Sequence, residues 1–167
     1  MAHADLPGEL FASHSIEASV AAALKLMMSG ATEEEVARRL TWKDFELFCA
    51  ELLRAGGYTV RQNLVLSRPR AQIDLVASGP LFIISLDCKH WKRAPSYSAL
   101  EKIARAQLWR GKLLRTGMKD PRPIVSAILA YSEPRERFVN GVAVVPIRAL
   151  RNFMETVESY SDLLEMN

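Results

Sequence analysis

Three charged residues interrupt the hydrophobic stretch Gln72–Trp91, QIDLVASGPLFIISLDCKHW: Asp74, Asp87 and Lys89. The runs Ile73–Ala77 and Leu81–Cys88 are rich in β-branched and apolar residues, and Ser78-Gly79-Pro80 between them predicts a tight connection between antiparallel strands. Strand side chains alternate between faces, so Asp87 and Lys89 point one way while Leu86 and Cys88 point the other. Charges are rarely buried on such strands unless they are paired or hold a metal. Two acids and a lysine on one sheet therefore make either an ion-pair cluster or a metal site.

A third acid comes from upstream. The segment from Trp42 to about Ala55 has strong helical periodicity, and Trp42, Phe45, Cys49, Leu52 and Leu53 share its apolar face, with Phe48 at the margin. Glu46 falls beside Leu53 at the edge of that face. A carboxylate directed partly inward is costly unless a cation meets it, a neighbouring backbone group takes it up, or it reaches back to solvent. The functional reading is that Glu46 leans toward the same cation as Asp74 and Asp87.

The elements that position these residues follow from caps and breakers. Residues 1–12 predict a loose lead-in. A helix is expected from about Ser15 to Met28, ended by Ser29-Gly30; Thr32-Glu33-Glu34-Glu35 is a capping box opening a short helix that ends near Thr41. Two short helices joined by glycine can suggest a DNA-reading pair, but the basic recognition helix is missing, so helical dressing or a dimerisation element is expected. Gly56-Gly57 ends the Trp42 helix. Tyr58–Leu66 alternates as a first strand, and Ser67–Ala71 is a basic turn into the Asp74 strand. A long basic helix is expected over Ser96–Thr116, a proline-rich loop over Asp120–Pro123, a buried strand over Ile124–Tyr131, a polar turn at SEPRERFVNG, a last strand over Val142–Ile147 and a final helix over Arg148–Tyr160. The order is helices, three strands, helix, two strands, helix.

The chain of 167 residues fits one domain with a sizeable core. Its hydrophobic fraction of 49% and charged fraction of 25% are those of a soluble globular protein. No apolar run approaches a membrane span, and MAHADLPGEL lacks the regions of a secretory signal, so no membrane association is expected. Cys49 and Cys88 lie in apolar segments without paired metal-ligand spacing, which predicts buried thiols in a reducing cytoplasm. Charge is unevenly spread: residues 61–122 carry 13 Lys/Arg against 4 Asp/Glu, while residues 1–60 carry 5 against 9 and residues 123–167 carry 4 against 6. A basic field around a carboxylate site suits a polyanion that is to be chemically attacked; a solvated basic face is the plainer alternative.

The motif order resembles the PD-(D/E)XK nuclease superfamily, and within it the Mrr-like restriction endonucleases and archaeal Holliday-junction resolvases. DFELFCAELLRAGGY resembles the family's opening helix, with Glu46 in the place of its acid; IDLVA supplies Asp74, and LDCKHW supplies Asp87, Cys88 and Lys89. No proline precedes Asp74, and the third-motif acid is Asp, one methylene shorter than the commoner Glu. The resemblance implies an α/β restriction-endonuclease-like core, α-β-β-β-α-β-β-α, with a mixed sheet flanked by helices over residues 42–167 and an N-terminal helical extension over residues 1–41.

It also implies a metal-dependent DNA endonuclease acting as a homodimer. Glu46, Asp74, Asp87 and Lys89 would be the catalytic residues. Mg²⁺, or Mn²⁺ as its substitute, would be held by Asp74, Asp87, the backbone carbonyl of Cys88 and, through water, Glu46. Lys89 on the face of Asp87 would stabilise transition-state charge as a cation or serve as a base. Gln107 and Lys112 on the long helix, with Arg61, Arg68, Arg70, Lys92 and Arg93, are candidate DNA contacts. His90 falls opposite Lys89 by alternation, and Trp91 and Trp109 are candidates for base stacking or, more plainly, for packing. A non-catalytic nucleic-acid-binding or scaffolding protein keeping the same fold is the competing reading.

Overall fold

A computed structural model describes residues 17–167. The lead-in expected over residues 1–12 and the expected helix start at Ser15 lie outside the described residues. Helix α1 spans Ala18–Met28. Thr32 then opens α2 (Glu33–Ala37) with the expected capping box: Glu35 N–H donates to Thr32 Oγ1 at 3.2 Å, and Thr32 N–H donates to Glu35 Oε2 at 2.8 Å. Thr41 caps α3 (Trp42–Ala55) in the same manner, accepting from Asp44 N–H at 3.2 Å. Gly57 leaves α3 with φ +89, a left-handed conformation that only glycine adopts without strain.

Six strands follow: β1 (Thr59–Ser67), β2 (Arg70–Ser78), β3 (Ile83–Lys89), β4 (Ile124–Ala130), β5 (Phe138–Val139) and β6 (Val142–Pro146), with α4 (Tyr97–Gly117) between β3 and β4. The sheet order is β1-β2-β3-β4-β6-β5. β1, β2 and β3 pair antiparallel, β4 runs parallel to β3 and to β6, and β5 closes antiparallel on β6. The sheet is therefore mixed, as expected. The main core packs α1, α2, α3 and the C-terminal helices against one face through residues such as Phe45, Phe48, Leu53, Leu75, Leu86, Leu129 and Phe153. α4 covers the other face over Leu100, Ala104, Leu114, Ile83, Ile124 and Ile128. No helix among the described residues is long and apolar enough to cross a membrane.

Four expectations change. The polar turn SEPRERFVNG contains β5, because Asn140 and Gly141 take φ 50 and 77 and close a two-residue hairpin onto β6. The basic turn shrinks to Arg68-Pro69, since Ser67 and Arg70 already pair. The final helix is divided into a 3-10 turn Ile147–Ala149, α5 (Leu150–Thr156) and a second 3-10 turn Val157–Tyr160. The break comes where Thr156 Oγ1 donates back to Asn152 O at 2.6 Å, a bond that competes with the helix ladder. Trp42 is 60% exposed rather than part of the buried face of α3, whereas Phe48, placed at the margin, is fully buried. Trp42 is the first helical residue of α3, at the mouth of a cleft and outside the packed core.

Candidate active site

Regular pairing of β2 with β3 stops at Leu75 and Leu86. Beyond that point the Asp74 carboxylate takes the place of a strand partner, accepting from Cys88 N–H at 2.9 Å through Oδ2. On its other side Asp74 faces Asn63, which has φ 50 within β1. Strict alternation would put Ile73 and Leu75 on one face, yet Leu75 joins the main core and Ile73 the cluster under α4. The hairpin thus changes face at Asp74, and the two strands part there.

A cleft of about 680 Å³ opens where they part, with Glu46, Asp74, Asp87, Cys88 and Lys89 among its lining residues. Alternation along β3 holds as expected: Asp87 Oδ1 pairs with Lys89 Nζ at 3.0 Å, while Leu86 and Cys88 pack into the main core. His90 lies apart from Lys89, with Nε2 3.0 Å from Ala37 O and its ring stacked on Tyr131 at 4.9 Å. Asp87 is 4% exposed, and its Oδ2 is buried with no hydrogen-bond partner among the described residues. Burial pushes the Asp87 carboxyl above the usual carboxylate range, with the charge of Asp74 adding to it and Lys89 opposing it. Burial also raises Glu46, helped by Asp74 and Asp87 and again opposed by Lys89. Asp87 and Glu46 therefore hold protons more tightly than exposed acids would, which is the electrostatic signature of a site short of positive charge.

Among the described residues, no three His, Cys, Asp or Glu side chains converge tightly enough to hold a metal ion by themselves. Glu46 shares the cleft with Asp74 and Asp87 but does not complete a ligand shell with them. The Cys88 thiol packs into the main core: a hydrogen bond that it donates to Cys49, together with burial, pushes it well above its ordinary range, so its backbone is what it offers to the cleft.

The candidate DNA contacts divide. Arg61, Arg68, Arg70, Lys92 and Arg93 are exposed. Lys112 pairs with Glu165 at 2.6 Å, near the C-terminal end. Gln107 is corrected: it is fully buried, and its Nε2 donates to Ser85 O at 2.8 Å and to Ser85 Oγ at 3.0 Å, so it binds α4 to β3 instead of reaching solvent. Its Oε1 accepts from Arg110 Nη1 at 3.3 Å, and Arg110 lines the cleft. Sequence reasoning missed Arg110, although it lies one helical turn from Gln107 on the basic helix. It also missed Trp42, Lys43, Asn63 and Gln72 in the cleft wall. Trp91 packs partly buried against the α4 side, and Trp109 is 46% exposed.

Residues 37–115 match the restriction endonuclease family model of the Mrr catalytic type. The matched segment runs from the end of α2 through most of α4 and contains Glu46, Asp74, Asp87 and Lys89. The resemblance to restriction endonucleases read from the sequence is borne out over that segment, together with the α/β fold and its mixed sheet. Among solved structures, the restriction endonuclease PspGI–substrate DNA complex is similar, at 13% sequence identity and a TM-score of 0.39 over 84% of this chain. The chain spans 61% of the length of that protein. No curated protein matches the chain.

Proposed function

We propose that this chain is a divalent-metal-dependent DNA endonuclease that hydrolyses phosphodiester bonds at the Asp74–Asp87–Lys89 cleft. One observation carries the proposal: the buried Oδ2 of Asp87, without a hydrogen-bond partner among the described residues, lies in a cleft shared with Asp74 and Glu46, whose negative charge Lys89 only partly offsets. Hard divalent cations prefer such oxygen donors while keeping several waters, which suits a set that offers two carboxylates and leaves the remaining positions to water and substrate. Asp74 and Asp87 would hold Mg²⁺, or Mn²⁺ in its place, with the Cys88 carbonyl as a further oxygen and Glu46 reached through water. When bound, the ion supplies charge neutralisation at the phosphate and a lowered pKa for the attacking water.

The chain's own groups do the rest. Lys89, held at 3.0 Å from Asp87, presents its ammonium to a non-bridging phosphate oxygen as charge builds there. Glu46, with its raised proton affinity, accepts a proton from the attacking water. Arg110, steadied by Gln107, fixes a phosphate across the cleft. The exposed bases Arg61, Arg68, Arg70, Lys92 and Arg93 position the DNA backbone without reading sequence. Cutting both strands with one centre per chain calls for a homodimer, and the free, buried Cys49 and Cys88 suit the reducing cytoplasm.

The second reading, a nucleic-acid-binding protein without catalysis, is favoured by the closed Asp87–Lys89 pair and by the lack of a complete ligand set among the described residues. A nicking assay on supercoiled and branched DNA with Mg²⁺ or Mn²⁺ separates the two. Cutting by the native protein, reduced at least about 100-fold in Asp74→Ala and Lys89→Ala, supports the enzyme. Salt-sensitive binding with no cutting under either metal sinks it.

A further inference from the structure

The wall of the cleft differs in chemistry from its floor. Trp42 stands 60% exposed at the first position of α3, with Lys43 Nζ 5.5 Å from its ring centroid. A large aromatic left in water is unusual on a helix that buries Phe45, Phe48, Cys49 and Leu53. Lys43 occupies one face of the indole by a cation–π contact, and among the described residues no other ring stacks on Trp42. Asn63 and Gln72 line the same cleft, and Gln72 Nε2 donates to Asn63 Oδ1 at 2.9 Å. Whichever way the two amides are turned, a pair joined by one such bond leaves one outward amide donor and one outward carbonyl acceptor side by side. No other hydrogen bond takes them up among the described residues. Gln62, from the same hairpin, adds a buried amide nitrogen without a partner among the described residues.

A planar aromatic surface that shares a cleft with an adjacent donor and acceptor is the complement of a nucleobase, which offers a π face and an edge of alternating donors and acceptors. Phosphate alone would call for cations and not for this wall. Bases inside a duplex have both faces covered, so Trp42 can take one only when it has left the stack. We infer that the cleft receives an unpaired nucleobase of the DNA next to the scissile phosphate, stacked on Trp42 and read by the Asn63–Gln72 amide pair, so that the preferred substrate carries an unpaired or extrahelical nucleotide. The position beside a scissile phosphate rests on the nuclease reading; the base site does not. The base site itself is a binding site whose test does not need cutting. The positive φ of Asn63 gains a purpose on this view, because it brings a polar amide to the cleft where regular strand geometry would continue the alternation.

The experiment compares a labelled duplex bearing one bulged nucleotide with the same duplex fully paired, at fixed salt. Binding is read by fluorescence anisotropy in EDTA, and cutting is read separately with Mg²⁺. The native protein should bind the bulged duplex about 10-fold more tightly or better. Trp42→Ala should weaken that binding by roughly 5- to 100-fold, the range of base–aromatic stacking, and bring the ratio between the two duplexes close to one. Trp42→Phe, which keeps an aromatic face, should retain most of the ratio. Gln72→Ala should flatten differences among the four bulged bases. Equal affinity of the native protein for both duplexes overturns the proposal, as does a ratio unchanged in a folded Trp42→Ala. If neither duplex is cut with Mg²⁺ or Mn²⁺ the nuclease reading fails, and the anisotropy ratio still decides the base site.

Discussion

At the scale of single residues the cleft trades stability for charge. Burial and mutual repulsion raise the proton affinities of Asp87 and Glu46 in the folded chain. A raised carboxyl contributes stability fully below its unfolded value, near pH 4, and loses that contribution as pH rises through its folded value. In the absence of metal the native protein should therefore lose stability from mildly acidic toward neutral pH. Glu46→Gln removes the ionisation and should melt higher than the native protein near neutral pH in EDTA. The gain should be a few degrees, since about 1 kcal/mol corresponds to roughly 2–4 °C in a domain of this size, and it should vanish below about pH 4. Adding Mg²⁺ should narrow or reverse the difference, because the native chain, with Glu46 to hold a metal-bound water, gains more from the ion than the variant does. A Glu46→Gln protein that melts lower at neutral pH in EDTA would show that the acid is stabilising, contrary to this account. Asp74, Asp87 and Lys89 were legible in the sequence because strand alternation fixes relative direction over two or three residues without any tertiary information. Glu46 was legible because it breaks a helical apolar stripe. Arg110 and Gln107 were not, because a basic helix presents cations all round and only its docking on β3 decides which of them is buried, which faces the cleft and which meets solvent.

At the scale of elements, the docking of α4 carries the second half of the site. Gly111 sits on β4 so closely that a Cβ there would lie 2.2 Å from Ser126 Oγ. Alanine would gain about 1 kcal/mol of helix propensity over glycine, but overpacking a close contact costs about 1–3 kcal/mol, and Ser126 is itself fully buried, with little room to yield. The clash wins. Gly111→Ala should lower the melting temperature and, by lifting α4 from the sheet, weaken the Gln107–Ser85 bonds that hold Arg110 toward the cleft, reducing cutting more than it reduces binding. The double variant Gly111→Ala/Ser126→Ala should restore both, because the remaining Cβ–Cβ separation of 3.6 Å is ordinary contact. A single variant as stable and active as the native protein would show that α4 docks loosely. The order of elements was readable from caps, breakers and apolar runs. What escaped was local: the Asn140-Gly141 hairpin is a strong turn signal hidden in a polar segment, and the exposure of Trp42 depends on what neighbours the start of α3, which periodicity within one helix cannot register.

At the scale of the molecule, the division into residues 1–41 and residues 42–167 marks a change of role in the sequence more than a seam in the packing. Val20, Ala23, Val36, Ala37 and Leu40 are buried in the same core as Phe45, Leu75 and Phe153. Ala37 O meets His90, and Arg38 Nε donates to Tyr131 Oη at 2.9 Å, so α2 also covers the end of β3 beyond Lys89 and the end of β4. α1 and α2 thus pack as part of the main core. The physical consequence concerns how the chain folds. Fully burying a Val or Leu contributes about 1.5–3 kcal/mol, and domains of this kind are stable by only about 5–15 kcal/mol in total. Losing three such side chains from the core, together with the surface they cover, consumes most of that margin. We predict that a chain beginning at Trp42 keeps the motif residues and much of the secondary structure yet fails to melt cooperatively, with binding of a hydrophobic dye and loss of near-ultraviolet dichroism as the measurements. Supplying residues 1–41 as a separate polypeptide should restore a cooperative transition in part, because the missing term is burial and not chain connectivity. A truncated chain that melts as sharply and as high as the full one would make residues 42–167 an autonomous domain and leave the first helices free for another role.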